Sequence, residues 1–462
     1  MDDSRSSSGE TLLKNPFFLF SVLLAVAGVV GSAVAYRAKE RRHQRHATQQ
    51  AAWVRFSQRS PTTTMSRRST HFVGEKVRAL CFLKDVRSSE AHDQFDFLPL
   101  VAAGGWDSER NHVALHLPIL PTRDEHELRR EFGRYAEGHE DGDVRACELS
   151  QVAEAPHAGD VNALQFVATK GENLLFTASS SGSVLCFRVS DTSSAMSDDA
   201  DVAPVAADSP LSSFAIPQWE NVFGGSPVTC LDASESKSVL VAASEAGGVA
   251  WLQLDDVMSV SKIVNKDASK LAIHGVKILG QDAIAVSVGY GDRSTPGSQL
   301  RIWDATANRS YPVLTASDPH SSAVLTSVET HPTRPELLLT GAEDGRVCLW
   351  DQRRLDAPFR TETKHQRAVR ALKLHSAAPR FLYSCGDDAT VLSWDFHHGA
   401  RPRDAVEYDA HAALQVDAVA SSSQPWNAVA VHAESDTLVA ASDAQTIVLV
   451  QHASKAQQQR FL

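Results

Sequence analysis

The chain of 462 residues has little of what enzymes, redox proteins and metal proteins need. Its six cysteines include no Cys-x-x-Cys pair, and its histidines show no zinc-ligand spacing, so we expect free thiols in a reducing compartment and no metal site. It also lacks a Gly-x-x-x-x-Gly-Lys-Ser/Thr loop, a Gly-x-Ser-x-Gly elbow and a His-Glu-x-x-His helix. The sequence therefore predicts no enzyme activity, no catalytic residue and no cofactor.

Positive charge is scarce outside the N-terminal segment. The formal net charge is −11, but residues 1–70 hold 11 Lys and Arg against 4 Asp and Glu, which leaves −18 on the rest of the chain. A body of that charge repels a phosphate backbone. The composition therefore argues against direct nucleic-acid binding and favours protein partners.

Long apolar runs are absent apart from residues 17–36, which include no charged side chain. As a helix, this run would span about 30 Å, the thickness of a bilayer core. Basic residues dominate after it, so by the positive-inside rule the flank 1–16 faces the lumen and the rest faces the cytosol or nucleoplasm. A cleaved signal peptide, suggested by the small residues 33–35, and a dispensable extension are the alternatives. The Arg-rich stretch 37–69 is predicted to be a flexible linker.

From residue 70 to residue 455 the chain repeats one strand-rich unit, most clearly as LLLTGAEDGRVCLWD (337–351) and FLYSCGDDATVLSWD (381–395). Its seven copies are spaced by 44 to 71 residues, and a four-stranded propeller blade needs about 40–45 residues plus loops. Residues 70–73 are predicted to supply the outer strand of the last blade. The copies end at His116, Phe187, Leu252, Trp303, Trp350, Trp394 and Leu449.

Three segments depart from the repeat. The charged insertion 122–144 is long enough for a short helix, and the acidic, Ser/Ala-rich insertion 190–210 is predicted to be disordered. Residues 456–462 form a C-terminal tail. Long loops on a rigid ring often contact partners, although a solvated excursion is the simpler interpretation of both insertions.

These units resemble WD repeats, in which a loop His, a strand Ser or Thr, a turn Asp and a strand Trp form a hydrogen-bonded tetrad within a blade. The resemblance implies an all-β, seven-bladed WD-repeat β-propeller preceded by a single N-terminal transmembrane-type helix and a basic linker. Because the pattern recurs from blade to blade, a structural role explains it better than a Ser/His/Asp catalytic triad, which is assembled once. The implied tetrads are His365, Ser384, Asp388 and Trp394 in the sixth blade, and His320, Thr340, Asp344 and Trp350 in the fifth.

The first blade contains VAAGGWDSERNHVALHLP, in which Gly105, Trp106 and Asp107 precede the apolar strand instead of ending it. With the Trp-poor closing blade, this motif resembles the small WD-repeat nucleoporins on the short arm of the Y-shaped outer-ring scaffold of the nuclear pore complex. That resemblance implies a non-enzymatic scaffold at the nuclear envelope. It also implies binding to helical-solenoid nucleoporins and a role in pore assembly and in nucleocytoplasmic transport, including mRNA transport.

The apolar segment 17–36 is a departure from that family. It is consistent with an anchor in the pore membrane that leaves the propeller on the cytosolic or nucleoplasmic side. Two other classes of protein stay open at this point. One is a membrane-anchored WD-repeat regulator of a small GTPase at the endoplasmic reticulum, and the other is a substrate adaptor of a ubiquitin ligase.

Overall fold

The computed structural model describes residues 67–83, 95–121, 147–169, 172–190, 209–264, 272–291, 299–396 and 414–455. These residues form seven antiparallel sheets, and the innermost strand of each sheet contacts the innermost strands of both neighbours, which closes a ring around a central channel. The described residues contain no α-helix, only two short 3₁₀ helices, Pro217–Trp219 and Ala453–Lys455. The predicted all-β, seven-bladed propeller is confirmed.

The blades are numbered along the chain, and the strands of each blade follow one another from the channel outward. Blade 1 holds β2 (Val77–Phe82), β3 (Phe95–Phe97) with β4 (Val101–Gly105), β5 (Asn111–Pro121) and β6 (Glu148–His157). Blade 2 holds β7 (Val161–Ala168), β8 (Asn173–Ser179), β9 (Val184–Val189) and β10 (Leu211–Phe214). Blade 3 holds β11 (Val228–Ala233), β12 (Val239–Ser244), β13 (Val249–Gln253) and β14 (Val260–Val264).

Blade 4 holds β15 (Ile273–Ile278), β16 (Ile284–Gly289), β17 (Leu300–Asp304) and β18 (Leu314–Ala316). Blade 5 holds β19 (Leu325–Thr330), β20 (Leu337–Ala342), β21 (Arg346–Asp351) and β22 (Arg360–Thr363). Blade 6 holds β23 (Val369–Leu374), β24 (Phe381–Gly386), β25 (Thr390–Asp395) and β26 (Gln415–Ser421). Blade 7 holds β27 (Trp426–His432), β28 (Thr437–Ser442), β29 (Thr446–Gln451) and β1 (Arg67–Phe72).

The core lies between the blades. Every residue of β12, β20, β24 and β28 is buried, because each blade packs one face on the preceding blade and the other on the following one. One apolar cluster, for example, joins Val77 and Val101 of blade 1 to Val439 and Leu449 of blade 7. A single blade would leave such a face in water, so the blades are stable only as a ring.

The ring closes through the N-terminal strand of the propeller. β1 pairs antiparallel with β29, in register from Arg67 opposite Gln451 to Phe72 opposite Thr446. The backbone N–H of Val73 extends the pairing by donating to Gln445 at 2.9 Å. The prediction that residues 70–73 contribute the outer strand of the last blade is thereby confirmed, and the strand begins three residues earlier than expected.

Several sequence predictions lie outside the described residues. They are the transmembrane-type helix over 17–36, its flank 1–16, most of the linker 37–69, the insertion 122–144, most of the insertion 190–210 and the tail 456–462. Within the described ranges, no helix is long and apolar enough to cross a membrane.

Truncation tests the closure. Removing residues 1–60 should leave the midpoint of thermal unfolding within about 2 °C of the full-length value, because every described hydrogen bond of the ring starts at or after residue 67. Removing residues 1–75 should abolish the cooperative transition or lower its midpoint by about 10 °C or more, since β29 then loses its outer partner and becomes an open edge. Circular dichroism melting of the two truncated chains gives the comparison, and equal midpoints would contradict closure by β1.

Candidate interaction surface

The predicted tetrad of blade 6 is brought together around one buried hydroxyl. His365 Nε2 lies 2.7 Å from Ser384 Oγ, and Trp394 Nε1 donates to the same Oγ at 2.7 Å. On its other side, His365 Nδ1 lies 2.9 Å from Asp388 Oδ2. Burial lowers the pKa of His365 despite the neighbouring carboxylate, so the ring is a neutral imidazole that links the turn to the strand.

The predicted tetrad of blade 5 forms only in part. Trp350 Nε1 donates to Thr340 Oγ1 at 2.9 Å, but His320 is exposed and contacts neither Thr340 nor Asp344 through its ring. The assignment of His320 is wrong by one residue, because Ser321 stands four residues before the start of β19, as His365 does before β23. Ser321 Oγ donates to Asp344 Oδ2 at 3.1 Å and so replaces the histidine contact with a shorter side chain.

Two further blades contain parts of the same motif, although the sequence analysis assigned no tetrad to them. In blade 4, Trp303 Nε1 donates to Ser287 Oγ at 2.8 Å. In blade 2, His157 Nε2 lies 2.8 Å from Thr177 Oγ1, with Phe187 in the position of the tryptophan. In both blades a Ser or Thr of the second strand stands two residues after the residue that pairs with the aromatic residue of the third strand. A search for a Ser or Thr at that spacing could in principle have found both from the sequence.

Replacing His365 and His320 separately tests the correction. His365→Ala should lower the free energy of unfolding by about 2–3 kcal/mol, because it removes a buried ring together with its bonds to the Ser384 hydroxyl and the Asp388 carboxylate. His320→Ala should change it by no more than about 0.5 kcal/mol, because that ring is exposed. Urea denaturation of both variants measures the difference, and similar losses would refute the shifted register.

His116 takes the tryptophan position in blade 1. Its side chain is 3% exposed, and burial, with His71 nearby, lowers its pKa to about 4. A histidine kept neutral in the folded state makes stability depend on pH, because the unfolded chain binds a proton near pH 6.5 and the folded chain does not. Its contribution is fully present above pH 6.5 and is lost as the pH falls toward 4.

His116→Leu should remove that dependence. Between pH 7.5 and pH 4.5, the free energy of unfolding of the unmodified protein should fall by about 2 kcal/mol more than that of the variant. Urea denaturation at the two pH values measures both. His320→Leu, at an exposed position, is the control and should behave like the unmodified protein.

Every blade has a bulge at the same place. In all seven sheets, the register between the first and second strands shifts by one residue near the start of the first strand. A bulge leaves its extra residue outside the ladder and redirects its side chain. The bulges therefore set one side chain per blade at the same end of the channel, which we call the channel mouth. These residues are Arg78, Asn162, Thr229, His274, Thr326, Arg370 and Asn427.

Four of the bulge residues bind the next blade. Asn162 Nδ2 donates to Val228 O at 2.7 Å, Thr229 Oγ1 to Ile273 O at 2.6 Å, and Asn427 Nδ2 to Val77 O at 3.0 Å. Thr326 Oγ1 donates in the same way to Val369 O. Each acceptor is the first residue of the neighbouring inner strand, so these short polar side chains join blades 2 to 3, 3 to 4, 5 to 6 and 7 to 1.

In the other three blades, the bulge residue turns to the residue that follows the second strand of its own blade. The Arg78 guanidinium lies 5.2 Å from the centre of the Trp106 ring, and the His274 ring lies 5.4 Å from that of Tyr290. Arg370 forms a bidentate pair with Asp387, at 2.6 and 2.7 Å. Blades 1, 4 and 6 thus present large side chains at the channel mouth.

The first-blade motif forms part of this mouth. Gly105 ends β4, and a Cβ there would lie 3.3 Å from the backbone oxygen of His112 and would displace the end of the Glu75 side chain. The Asp107 carboxylate pairs with Lys76 at 2.5 Å, and its backbone N–H donates to Asp160 Oδ1 at 3.0 Å. These two contacts fix the turn that carries Trp106, and the Trp106 ring contacts the Arg78 guanidinium.

Deeper in the channel, charges of alternating sign join four consecutive blades. Lys277 Nζ lies 3.0 Å from Asp232 Oδ1 and 3.8 Å from Glu329 Oε2, and Lys373 Nζ lies 3.3 Å from the same Glu329 oxygen. Burial acts to lower the pKa of Lys277, but the two carboxylates outweigh it and hold the pKa above its ordinary value. This ladder crosses the boundaries between blades 3, 4, 5 and 6.

The described residues offer no arrangement suited to metal or thiol chemistry. No group of three or more His, Cys, Asp or Glu among them could hold a metal ion. All six cysteines are free thiols, and burial is the main reason that their pKa values are raised, to about 11 for Cys348 and about 12 for the others. Such thiols are poor nucleophiles at neutral pH.

Comparison with known proteins finds WD-repeat relatives, among them a nucleoporin. The family model "WD domain, G-beta repeat" matches residues 311–351 and 357–395. Nucleoporin Nup43 of Mus musculus is 26% identical over 313 residues, covering 65% of this chain and 72% of the relative, and the Homo sapiens protein is 25% identical with the same coverage. Protein transport protein Sec31A of Rattus norvegicus is 29% identical over 102 residues, only 21% of this chain and 8% of the relative.

These findings support a WD-repeat nucleoporin. The similarity to Nup43 extends across most of the ring, whereas the similarity to Sec31A covers about two repeats' worth of sequence. The relationship indicates a scaffold-type WD-repeat protein. Proteins of this kind are typically not enzymes, and nothing in the described residues indicates catalysis.

Proposed function

We propose that this chain is a non-enzymatic scaffold subunit of the outer ring of the nuclear pore complex, on the short arm of its Y-shaped assembly. Its propeller acts as a platform that docks on helical-solenoid nucleoporins and so supports pore assembly and nucleocytoplasmic transport, including that of mRNA. The observation that carries the proposal is the similarity to Nup43, which spans 65% of this chain and 72% of the relative.

The build of the ring is consistent with a platform. A rigid ring is expected where seven blades are joined by apolar packing, by four bulge hydrogen bonds and by an ionic ladder. Rigid scaffolds bind partners with little loss of conformational entropy, which favours permanent assembly. The net charge of −18 on residues 71–462 fits protein partners better than nucleic acid.

The N-terminal segment adds a membrane component to the proposal. Residues 17–36 anchor the protein in the nuclear envelope, and the basic linker keeps the propeller on the cytosolic or nucleoplasmic side. The anchor would hold the scaffold near the pore membrane without taking part in the ring.

Affinity purification tests the proposal. The full-length chain with a C-terminal tag, isolated from nuclear envelopes of its own cells, should recover outer-ring nucleoporins in near-stoichiometric amounts by quantitative mass spectrometry. An unrelated seven-bladed propeller with the same tag is the control. Recovery of a small GTPase or of a cullin adaptor in place of nucleoporins would overturn the assignment.

A further inference from the structure

Arg78 is a cation without a counter-ion at the channel mouth. Among the described residues, its guanidinium makes no ion pair, whereas Arg370 is neutralised by Asp387 and Lys76 by Asp107. Desolvation, and next the repulsion from Arg370, lower the pKa of Arg78 below its ordinary value, although Asp160, Asp443 and Glu245 act to raise it. Arg78 is exposed, so without an ion pair its guanidinium donors are open to an added carboxylate.

Two of the three carboxylates that act electrostatically on Arg78, Asp160 and Asp443, already have other donors. Asp160 Oδ1 accepts from the backbone N–H of Asp107 and from Asn111 Nδ2, each at 3.0 Å. Asp443 Oδ1 accepts from Asn427 Nδ2 at 2.7 Å. These bonds fix both carboxylates at the joints that hold the blades and turns together, and neither forms an ion pair with Arg78 in the described part of the chain.

Trp106 adds a second unsatisfied donor beside the guanidinium. The Arg78 guanidinium lies 5.2 Å from the centre of the indole, within the range of a cation–π contact. The buried indole Nε1 has no hydrogen-bond partner in the described part of the chain. Buried tryptophan N–H groups are normally paired, so an open donor next to an open guanidinium indicates a place for an acceptor.

The other charged residues at the channel mouth restrict the kind of molecule that can supply this acceptor. Glu245 and Glu343 follow the second strands of blades 3 and 5, as Trp106 follows that of blade 1, and both are exposed. Glu245 also acts electrostatically on Arg78, and a polyphosphate laid across the mouth would be repelled by both glutamates. A single carboxylate on a peptide meets less of that repulsion, because it carries less charge and needs to approach only the side of the mouth that blade 1 forms.

We propose that Arg78 and Trp106 form a receptor for an acidic side chain, Asp or Glu, in an extended segment of a partner protein that enters the channel mouth. The carboxylate pairs with the Arg78 guanidinium and accepts the Trp106 N–H after a small side-chain adjustment. The first-blade motif then has a binding role, since the contacts of Asp107 fix the turn that carries Trp106. This inference does not depend on which complex the protein joins.

Selection from a random peptide library tests the receptor. Peptides of about twelve residues displayed on phage are selected on the immobilised full-length protein, and the enriched sequences should share an Asp or Glu. A synthetic peptide of that consensus should bind about tenfold or more weakly to Arg78→Gln, measured by fluorescence anisotropy, and also more weakly to Trp106→Phe, which retains an aromatic ring but loses the N–H. Binding should weaken as the salt concentration rises.

Matched variants separate this receptor from general charge effects. Arg354→Gln removes an arginine whose side chain is 85% exposed, in the turn after β21 at the opposite end of the ring, and should leave binding unchanged. Glu245→Gln and Glu343→Gln should leave binding equal or tighter, because they remove repulsion. Thermal unfolding of each variant verifies that the ring is intact.

Three outcomes would overturn the proposal. They are a basic consensus whose binding depends on Glu245 or Glu343, enriched peptides that bind Arg78→Gln as tightly as the unmodified protein, and no enrichment at all. The co-purification experiment uses neither this library nor these variants. Failure of the receptor is therefore distinguishable from failure of the nucleoporin assignment.

Discussion

Closure of the ring through the pairing of β1 with β29 is the interaction on which the rest of the structure depends. Each blade is apolar on both faces, as the fully buried strands β12, β20, β24 and β28 show. Such a blade is stable only between two neighbours, and the first and last blades become neighbours only when the circle is complete. Because β1 precedes the first blade in sequence and completes the last, one strand joins the two ends of the repeat region.

The seven bulges combine two roles at one structural position. Where the bulge residue is short and polar, as with Asn162, Thr229, Thr326 and Asn427, it bonds the first carbonyl of the next blade and contributes to closure. Where it is long or aromatic, it lies over the turn of its own blade and forms surface. The bulge is a backbone feature common to all blades, so a substitution there exchanges an interblade bond for a binding group without changing the fold.

The repeat pattern of the sequence was sufficient to predict the fold. Single-residue assignments failed where two neighbouring residues fit the same position of the repeat equally well. Trp350 and Trp394 anchor their repeats unambiguously, because an indole at the end of an apolar strand is uncommon. Leu449 is not such an anchor, and its assignment as the end of the last repeat is wrong by one residue. Val450 pairs with Leu438 in blade 7, as Trp394 pairs with Leu382 in blade 6. Both Leu449 and Val450 are buried, and strands buried on both faces lack the alternation that fixes register in a sequence.

The same ambiguity between neighbouring residues explains why the residues of the channel mouth were not predictable from the sequence. His320 looked like a loop histidine because it stands near the expected distance from a strand, yet Ser321 takes the position in space. Nor does any sequence pattern mark a bulge, since the register shift arises from how the first and second strands pair across the sheet. Arg78 therefore appeared as one arginine in an apolar strand, and only the pairing of Val77 with Gly105 brings it beside Trp106.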